Sequence, residues 1–354
     1  MPPADNAIPD RSQLLGPLLK SVSRSFYLTL RVLPKGMRNP VGLAYLLARA
    51  ADTIADTSLI PPQQRMELLL SLRSQVNGTQ DPAALDRIRG EVAGRQSDLK
   101  EKALLESLAP ALALLPQFTR ADRESIRAIV TTLTQGMEFD LQTFPDESSG
   151  QIAALNDYAE LDRYIYLVAG CVGEFWTIMT ARHALAALRA PVDAMVERGI
   201  RFGKALQLTN VLRDCGKDLR IGRCYLPADM LSRYSLAVSD LTAPESSLSA
   251  RPLLFELVRE ALEHYRQAID YITGLSRSSI RLRLACLWPV AIGLETLILL
   301  SGNDRWLDPA SPSKISRNHV YRILLLSLPI VCSNTLVRRW LGGRLRAIES
   351  AMSR

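Results

Sequence analysis

The chain has 354 residues, of which 47% are apolar and 22% charged, as in an ordinary globular protein. Its net charge of +7 favours an anionic partner, either an anionic membrane or a phosphorylated substrate. Nucleic acid ranks last, because the basic residues are scattered between apolar helical positions and no recognition motif is present. The five cysteines are odd in number and include no CxxC pair. The cysteine pattern therefore predicts neither a disulfide framework nor a zinc site, and reduced thiols favour a cytoplasmic location.

Apolar residues recur at three- and four-residue spacing along most of the chain, and strand-like alternation is nearly absent. This spacing predicts an all-α fold with helices, in chain order, at about 12–33, 40–57, 62–77, 99–114, 120–141, 155–186, 190–217, 251–274, 277–301 and 314–341. Turn-forming segments at 34–40, 145–150, 236–252 and 302–312 separate helices without dividing the chain convincingly. We predict a single domain over 1–354, with a core at about 18–302 and a C-terminal helical extension at about 313–346.

Two pairs of aspartates have the same spacing. Asp52 and Asp56 form the first pair, and Asp214 and Asp218 the second. A spacing of four places both carboxylates of a pair on one helix face, where like charges repel. A solvated surface is the ordinary explanation of a single such pair. However, both pairs follow apolar segments that we expect to be buried, where carboxylates are costly unless they bind cations.

Oxygen ligands without histidine or cysteine favour Mg²⁺ over zinc. Mg²⁺ bound by a few carboxylates usually completes its shell with water and substrate phosphates, so two facing pairs are expected to bind a diphosphate. Arginines accompany both pairs: Arg49 lies one turn before Asp52, and Arg213 directly precedes Asp214. Guanidinium groups bind phosphate oxygens in pairs. The alternative is that each arginine simply pairs with its neighbouring aspartate.

Five segments, taken in order, resemble the squalene/phytoene synthase family. They are Ser23–Phe26 (SRSF), Ala48–Asp56 (ARAADTIAD), Tyr164–Gly173 (YIYLVAGCVG), Gln207–Asp218 (QLTNVLRDCGKD) and Gly222–Pro227 (GRCYLP). The resemblance covers roughly residues 18–330. It implies the isoprenoid synthase fold, an all-α helical bundle with a central apolar cavity and two Asp-rich motifs on opposed helices.

The resemblance also implies roles for individual residues. The four aspartates would bind Mg²⁺. Contacts to the substrate diphosphate would come from Ser23, Arg24, Phe26, Arg49, Gln207 and Asn210. Catalytic roles would fall to Tyr164, Arg213, Arg223, Asp52 and Asp214. The alternatives are that Tyr164 is an ordinary core tyrosine and that the small residues of Val168–Gly173 serve close helix packing, with or without leaving room for a prenyl chain.

The implied activity is the Mg²⁺-dependent, head-to-head joining of two prenyl diphosphates. The chain most resembles the family's squalene-forming branch, in which two farnesyl diphosphates pass through presqualene diphosphate and NADPH reduces the product. Lys314 and Arg317, in a short basic segment after the core, are similar to that branch's contacts to NADPH; a solvated pair is the plain alternative. A non-reducing relative would make presqualene diphosphate, dehydrosqualene or phytoene. A third alternative is an inactive helical scaffold, although every motif aspartate is intact.

The C-terminal segment mixes apolar and basic residues. The apolar run Ile323–Cys332 is too short to cross a bilayer, which takes roughly 20 residues. Arg338, Arg339, Arg344 and Arg346 follow it, so we expect peripheral contact with an anionic membrane, on the cytoplasmic face; a last core helix with a wet basic end is the alternative. We expect a monomer.

Overall fold

The computed structural model describes residues 10–23, 26–243 and 245–353, and the side chains of Phe26 and Leu28 are outside the description. Contacts divide the chain into two compact units, Met1–Leu141 and Gln142–Arg354. The single domain expected from the sequence stays a prediction.

The first unit is helical throughout its described part. Its helices are α1 (Arg11–Gln13), α2 (Leu19–Ser23), α3 (Phe26–Val32), α4 (Lys35–Asp56), α5 (Pro62–Val76), α6 (Pro82–Glu91), α7 (Leu99–Glu106), α8 (Leu108–Ala113) and α9 (Arg120–Thr143). A π-helical turn (Leu14–Leu18) joins α1 to α2, and 3₁₀ turns lie at Ala93–Arg95 and Leu115–Gln117. Proline stands at the first position of α5 and α6, where its missing N–H costs no hydrogen bond.

The helix α4 brings the first aspartate pair into this unit. Its buried residues include Met37, Val41, Ala44 and Ala51, at helical spacing, and it packs against α2, α5, α7 and α8. The helix begins directly after Pro34 and contains Pro40. The break expected over 34–40 is therefore shorter than predicted: it ends at Pro34, and Pro40 stands in the second turn of α4, where it removes only the hydrogen bond that its own N–H would donate.

The second unit contains the remaining helices and one very short sheet. The helices are α10 (Tyr158–Ile165), α11 (Cys171–Ala184), α12 (Val192–Arg220), α13 (Ala228–Arg233), α14 (Ser246–Thr273), α15 (Ile280–Ser301), α16 (Arg317–Ile330) and α17 (Asn334–Met352). A π-helical turn at Tyr166–Gly170 joins α10 to α11, and 3₁₀ turns lie at Glu147–Ser149, Leu185–Ala187 and Val238–Thr242. The strands β1 (Ala153–Ala154) and β2 (Arg223–Cys224) pair in parallel.

The long helix α12 is the centre of the second unit, since α11, α14 and α15 all pack against it. Leu208 and Leu212 lie four residues apart and are fully buried there. Asp157 caps α10 by accepting a hydrogen bond from the backbone N–H of Glu160 at 2.9 Å. Such caps and apolar stripes are why the helices of this unit fall near their predicted positions.

Several boundaries differ from the sequence prediction. The helix expected over 314–341 is two helices, because the chain turns at residues 331–333 and Ser333 caps α17. The loop expected over 236–252 is shorter, since α14 already begins at Ser246 and holds Pro252 near its start. The helix α6 was not predicted at all.

Two described segments, Tyr158–Ala187 and Ile280–Ser301, are long and apolar enough to cross a membrane by length and composition alone. Half of the first segment's apolar window and 67% of the second's are buried against other helices. Buried core helices of globular proteins have the same composition, so this is weak evidence for a membrane span.

Candidate active site

The first aspartate pair lies at the carboxyl end of α4, where Asp56 is the last helical residue. This end of a helix bears the negative end of the helix dipole, so two carboxylates there are unfavourable until a cation neutralises them. Arg49, one turn earlier, pairs with Asp52 and also contacts Glu101 of α7, with 2.5 Å between Nη2 and Oε1. The structure therefore shows the Arg49–Asp52 pairing that the sequence left as an alternative.

A cavity of about 400 Å³ adjoins this last turn, and both aspartates line it together with Arg49 and Glu101. Burial raises the pKa of Asp52 to about 6, and the neighbouring charge of Asp56 adds to the rise, while Arg49 opposes it. Asp52 is nevertheless 37% exposed, so water still reaches this carboxylate. Thr53 lines the same cavity, and its buried hydroxyl has no hydrogen-bond partner among the described residues.

The second aspartate pair lies in the last two turns of α12. Gln207, Asn210, Asp214 and Asp218 follow one another at spacings of three and four, which places them along one face of the helix. All four are half-buried. Asn210 Nδ2 donates to Gln207 Oε1 at 3.3 Å, so the two amide side chains predicted to contact diphosphate lie side by side.

Arg213 binds the carboxylate of its neighbour Asp214 through two hydrogen bonds, with Nε to Oδ1 at 3.1 Å. Lys217 is 4.0 Å from the same carboxylate. Burial raises the pKa of Asp218 to about 7, and the charge of Asp214 adds to the rise, although nearby Arg223, Arg213 and Lys217 oppose it. The two carboxylates therefore repel one another in a partly desolvated site that also contains cationic side chains.

Arg223 is brought back towards the end of α12 by a tight turn. Gly222 has φ +83°, a left-handed conformation that favours glycine, and an added Cβ would lie 2.5 Å from the carbonyl oxygen of Gln151. Arg223 then enters β2, where its side chain is 15% exposed and contacts Glu147 at 3.4 Å. This turn explains why the glycine and arginine of GRCYLP occur together after the second motif.

Tyr164 is buried in α10 and stacks on Tyr225, with ring centroids 4.7 Å apart and an interplanar angle of 23°. Tyr225 in turn meets Phe144 edge-on, with centroids 4.9 Å apart. This aromatic cluster fixes the ring of Tyr164. A core role and a role at the reacting carbons both require such a fixed ring, so the cluster alone does not choose between them.

The small residues after Tyr164 serve close helix packing. An added Cβ at Gly173 would lie 1.8 Å from the carbonyl oxygen of Gly199, and one at Gly203 would lie 2.0 Å from that of Ala169. Backbone of α12 therefore fills the space that a side chain at Gly173 would need. The structure therefore shows the close-packing alternative at Gly173, and room for a prenyl chain along the rest of Val168–Gly173 stays a prediction.

The N-terminal contacts predicted for diphosphate are only partly described. Ser23 is buried at the end of α2, and its hydroxyl has no hydrogen-bond partner among the described residues. Arg24 and the side chain of Phe26 lie outside the described residues, so their roles stay predictions.

Lys314 and Arg317 are exposed, and Arg317 opens α16 after the capping residue Ser316. Neither side chain forms an ion pair within the described part of the chain. Two cations at a helix N-terminus, whose dipole end is positive, favour a phosphate group. The residues thus fit the phosphates of NADPH, and they also fit the plain alternative of a solvated pair.

Sequence reasoning missed Trp306, which anchors the loop before Lys314 onto the second motif. Its Nε1 donates to the carbonyl oxygen of Leu212 at 2.7 Å, one turn before Gly216. Gly216 packs so tightly against the same loop that a Cβ would lie 2.3 Å from the carbonyl oxygen of Leu307. Glycine inside an Asp-rich helix was the available signal of this close approach.

The two pairs fit Mg²⁺ by the chemistry of their donors. Each offers carboxylate oxygens that repel one another, and a bound cation would remove the cost that raises the pKa of Asp52 and Asp218. No group of three or more histidine, cysteine, aspartate or glutamate side chains suited to a metal occurs within the described ranges. A Mg²⁺ ion does not need three such protein ligands, since it usually completes its shell with water and substrate phosphates.

Comparison with known proteins adds relatives over most of the chain. A profile of the squalene/phytoene synthase family matches residues 19–319. The squalene synthase of Eremothecium gossypii is 28% identical over 294 residues, which cover 82% of this chain and 62% of that protein. The chain thus spans under two thirds of that relative's length. The presqualene diphosphate synthase of Rhodopseudomonas palustris is 30% identical over 250 residues, covering 70% of this chain and 74% of that protein.

The fold has solved counterparts as well. The structure of TcSQS in complex with the ligand BPH1237 superposes with a TM-score of 0.71 at 20% identity, covering 96% of this chain and 99% of that one. This likeness and the helical architecture confirm the predicted all-α isoprenoid synthase fold. The family profile covers far more than half of the sequence, and all five segments that carry the resemblance lie within its bounds. The chain belongs to the squalene/phytoene synthase family.

Proposed function

We propose that the chain is a Mg²⁺-dependent prenyltransferase that condenses two farnesyl diphosphates head to head, through presqualene diphosphate, to squalene, with NADPH as reductant. The observation that carries this proposal is that the same arrangement of side chains occurs twice in a chain of this family. Two helices, α4 and α12, each end in an aspartate pair with a raised carboxylate pKa and an arginine alongside. Mg²⁺ bound by these carboxylates would supply positive charge to the leaving diphosphate.

The arginines complete the diphosphate contacts in this proposal. Arg49 and Arg213 pair with Asp52 and Asp214, and their guanidinium groups would exchange part of this contact for phosphate oxygens when substrate binds. Arg223 would stabilise the departing diphosphate from the start of β2. Gln207 and Asn210 would donate amide hydrogen bonds to its oxygens. Stabilising charge that develops on a leaving group is what accelerates ionisation.

Tyr164 would hold or move the proton lost when the cyclopropane of presqualene diphosphate forms. Its ring is fixed by Tyr225, so its hydroxyl has a defined position. The buried aromatic cluster also excludes water, which would otherwise quench an allylic cation. Lys314 and Arg317 would bind the phosphates of NADPH, which supplies the hydride of the second step.

A second candidate function is supported by one comparison. The presqualene diphosphate synthase of Rhodopseudomonas palustris matches this chain at 30% identity and over 74% of its own length. A chain of this branch would stop at presqualene diphosphate and would not use NADPH. In either case we infer a cytoplasmic, monomeric enzyme.

One experiment separates the two functions. Purified protein is incubated with labelled farnesyl diphosphate and Mg²⁺, with and without NADPH, and the products are identified by mass. Squalene that appears only with NADPH supports the first function, and presqualene diphosphate under both conditions supports the second. Failure to convert farnesyl diphosphate at all rejects both.

The cofactor residues are tested in the same assay. We expect Lys314→Ala with Arg317→Ala to raise the KM for NADPH at least tenfold and to let presqualene diphosphate accumulate. Lys100→Ala, at another exposed lysine, is the matched control and should leave both unchanged. An unaltered KM for NADPH in the double variant would remove these residues from the cofactor site.

A further inference from the structure

Large exposed apolar side chains are concentrated near the end of the chain. Of the thirteen in the described residues, five lie between positions 321 and 336. We call Tyr321, Leu325, Leu326 and Leu328 of α16, with Leu336 of α17, the apolar face. Leu325 is 69% exposed and Tyr321 65%, and large exposed apolar patches often mark contact surfaces.

The orientation of α16 is set by its other side. Ile323 and Ser327 are buried, and the Ser327 hydroxyl accepts a hydrogen bond from Trp288 Nε1 of α15 at 2.9 Å. His319 Nε2 lies 3.4 Å from a carboxylate oxygen of Glu295, also on α15. The helix is therefore packed by one face, and the apolar face points outward because the helix cannot turn without losing these contacts.

The chain segment that carries the apolar face is basic. No aspartate or glutamate occurs between Asp308 and Glu349. Arg338 and Arg344 are paired with Asp270 and Glu295, respectively. Three further arginines are exposed and form no ion pair within the described ranges: Arg322, Arg339 and Arg346.

We propose that the apolar face docks this protein peripherally on a bilayer of anionic phospholipids, with Arg322, Arg339 and Arg346 contacting the headgroups. A protein partner would cover the leucines equally well, but the unpaired arginines and the lack of acidic residues at positions 309–348 are complementary to an anionic surface. The leucines would enter the boundary between headgroups and acyl chains. This docking is shallow and reversible, and it does not depend on the proposed reaction.

The test is flotation of the full chain with vesicles of phosphatidylcholine alone or mixed with phosphatidylglycerol. We expect binding to the mixed vesicles only, weakened by salt. Leu325→Glu with Leu328→Glu should lower the partition coefficient at least roughly tenfold, because the apolar contact is lost and the two glutamates resist burial in the bilayer. Each of Arg322→Ala and Arg339→Ala should lower it roughly fivefold on the mixed vesicles.

Leu99→Glu is the matched control, since Leu99 is 78% exposed on α7, outside the apolar face. It should bind vesicles like the parent chain. Circular dichroism of the double glutamate variant checks that the helices are intact. Equal partition of parent and double variant overturns the proposal. So does a dimer in sedimentation equilibrium that the double variant abolishes, since a second copy would then be the occupant.

Discussion

Asp218 is the residue whose titration bears most directly on metal binding. Its pKa is raised to about 7, first by burial and then by Asp214, so near neutral pH a large fraction of the side chain is protonated and cannot bind a cation. Mg²⁺ must displace that proton. We therefore expect the affinity for Mg²⁺, measured by calorimetry with inorganic diphosphate present, to rise up to about tenfold per pH unit below pH 7 and to level off above it.

Asp218→Asn provides the control, because the titration of diphosphate itself is the same in both proteins. The variant should bind Mg²⁺ weakly and lose the part of the pH dependence near pH 7 that Asp218 adds, whereas the titration of Asp52, whose pKa is raised to about 6, stays in both proteins. A parallel pH dependence in parent and variant would contradict the assignment.

The same pKa shift also predicts a stability change without Mg²⁺. Folding raises the pKa above its usual 3.8, so this carboxylate lowers the stability of the fold as pH rises from 3.8 to about 7, and the loss stays constant above that pH. The variant should therefore have the higher Tm at pH 8, and the difference should fade towards pH 4.

The roles of the Tyr164 ring and of its hydroxyl can be tested separately. Tyr164→Phe keeps the stack on Tyr225, so Tm should change little. If the hydroxyl moves a proton, kcat should fall about a hundredfold while KM for farnesyl diphosphate stays within about twofold. Steady-state kinetics and thermal unfolding on the same preparation give both numbers. A parent-like kcat would leave Tyr164 as an ordinary core tyrosine.

At the scale of elements, the contact between α11 and α12 depends on glycines. A Cβ at Gly173 would overlap the backbone of Gly199, which is not a flexible side chain that can move aside. We expect Gly173→Ala to force the helices apart and to lower the free energy of unfolding by about 2–3 kcal/mol, measured with urea.

Gly90→Ala is the matched control, because nothing lies within 4 Å of its added Cβ in α6. It should stabilise the protein by about 0.4–1 kcal/mol, since alanine restricts the unfolded chain. If the two substitutions have equal effects, then packing between α11 and α12 tolerates separation and the glycines are not required for it.

The elements also show how far sequence reasoning reaches. The helices α4 and α12 were predictable, because a long apolar stripe and an i, i+4 aspartate pair are local patterns. The chain turn at 331–333 was not, since the apolar run continues through it. The strands β1 and β2 have two residues each and exist only through their pairing.

The candidate active site likewise has residues that the sequence predicted and residues that it did not. Aspartate, arginine and tyrosine positions followed from motifs within one segment. Glu101 and Trp306 did not, because their partners Arg49 and Leu212 lie far away in sequence and only the folded chain reveals the contact. The raised pKa of Asp52 and Asp218 likewise depends on burial that spacing alone does not measure.

At the scale of the whole molecule, the question is whether the two compact units unfold together. The helix α9 (Arg120–Thr143) runs through the boundary after Leu141 without a break. Unfolding one end of a continuous helix removes hydrogen bonds from the other, so we expect one cooperative transition. One transition is also what the single domain predicted from the sequence requires.

The tryptophans make this expectation testable without labels. All four, at positions 176, 288, 306 and 340, belong to the second unit. Their fluorescence therefore reports the second unit alone, whereas far-ultraviolet circular dichroism reports helices in both. The two urea curves should coincide, and Gly173→Ala should shift both equally. A fluorescence transition that separates from the dichroism transition, or that shifts alone in the variant, would show that the units unfold independently, because α9 then fails to couple them.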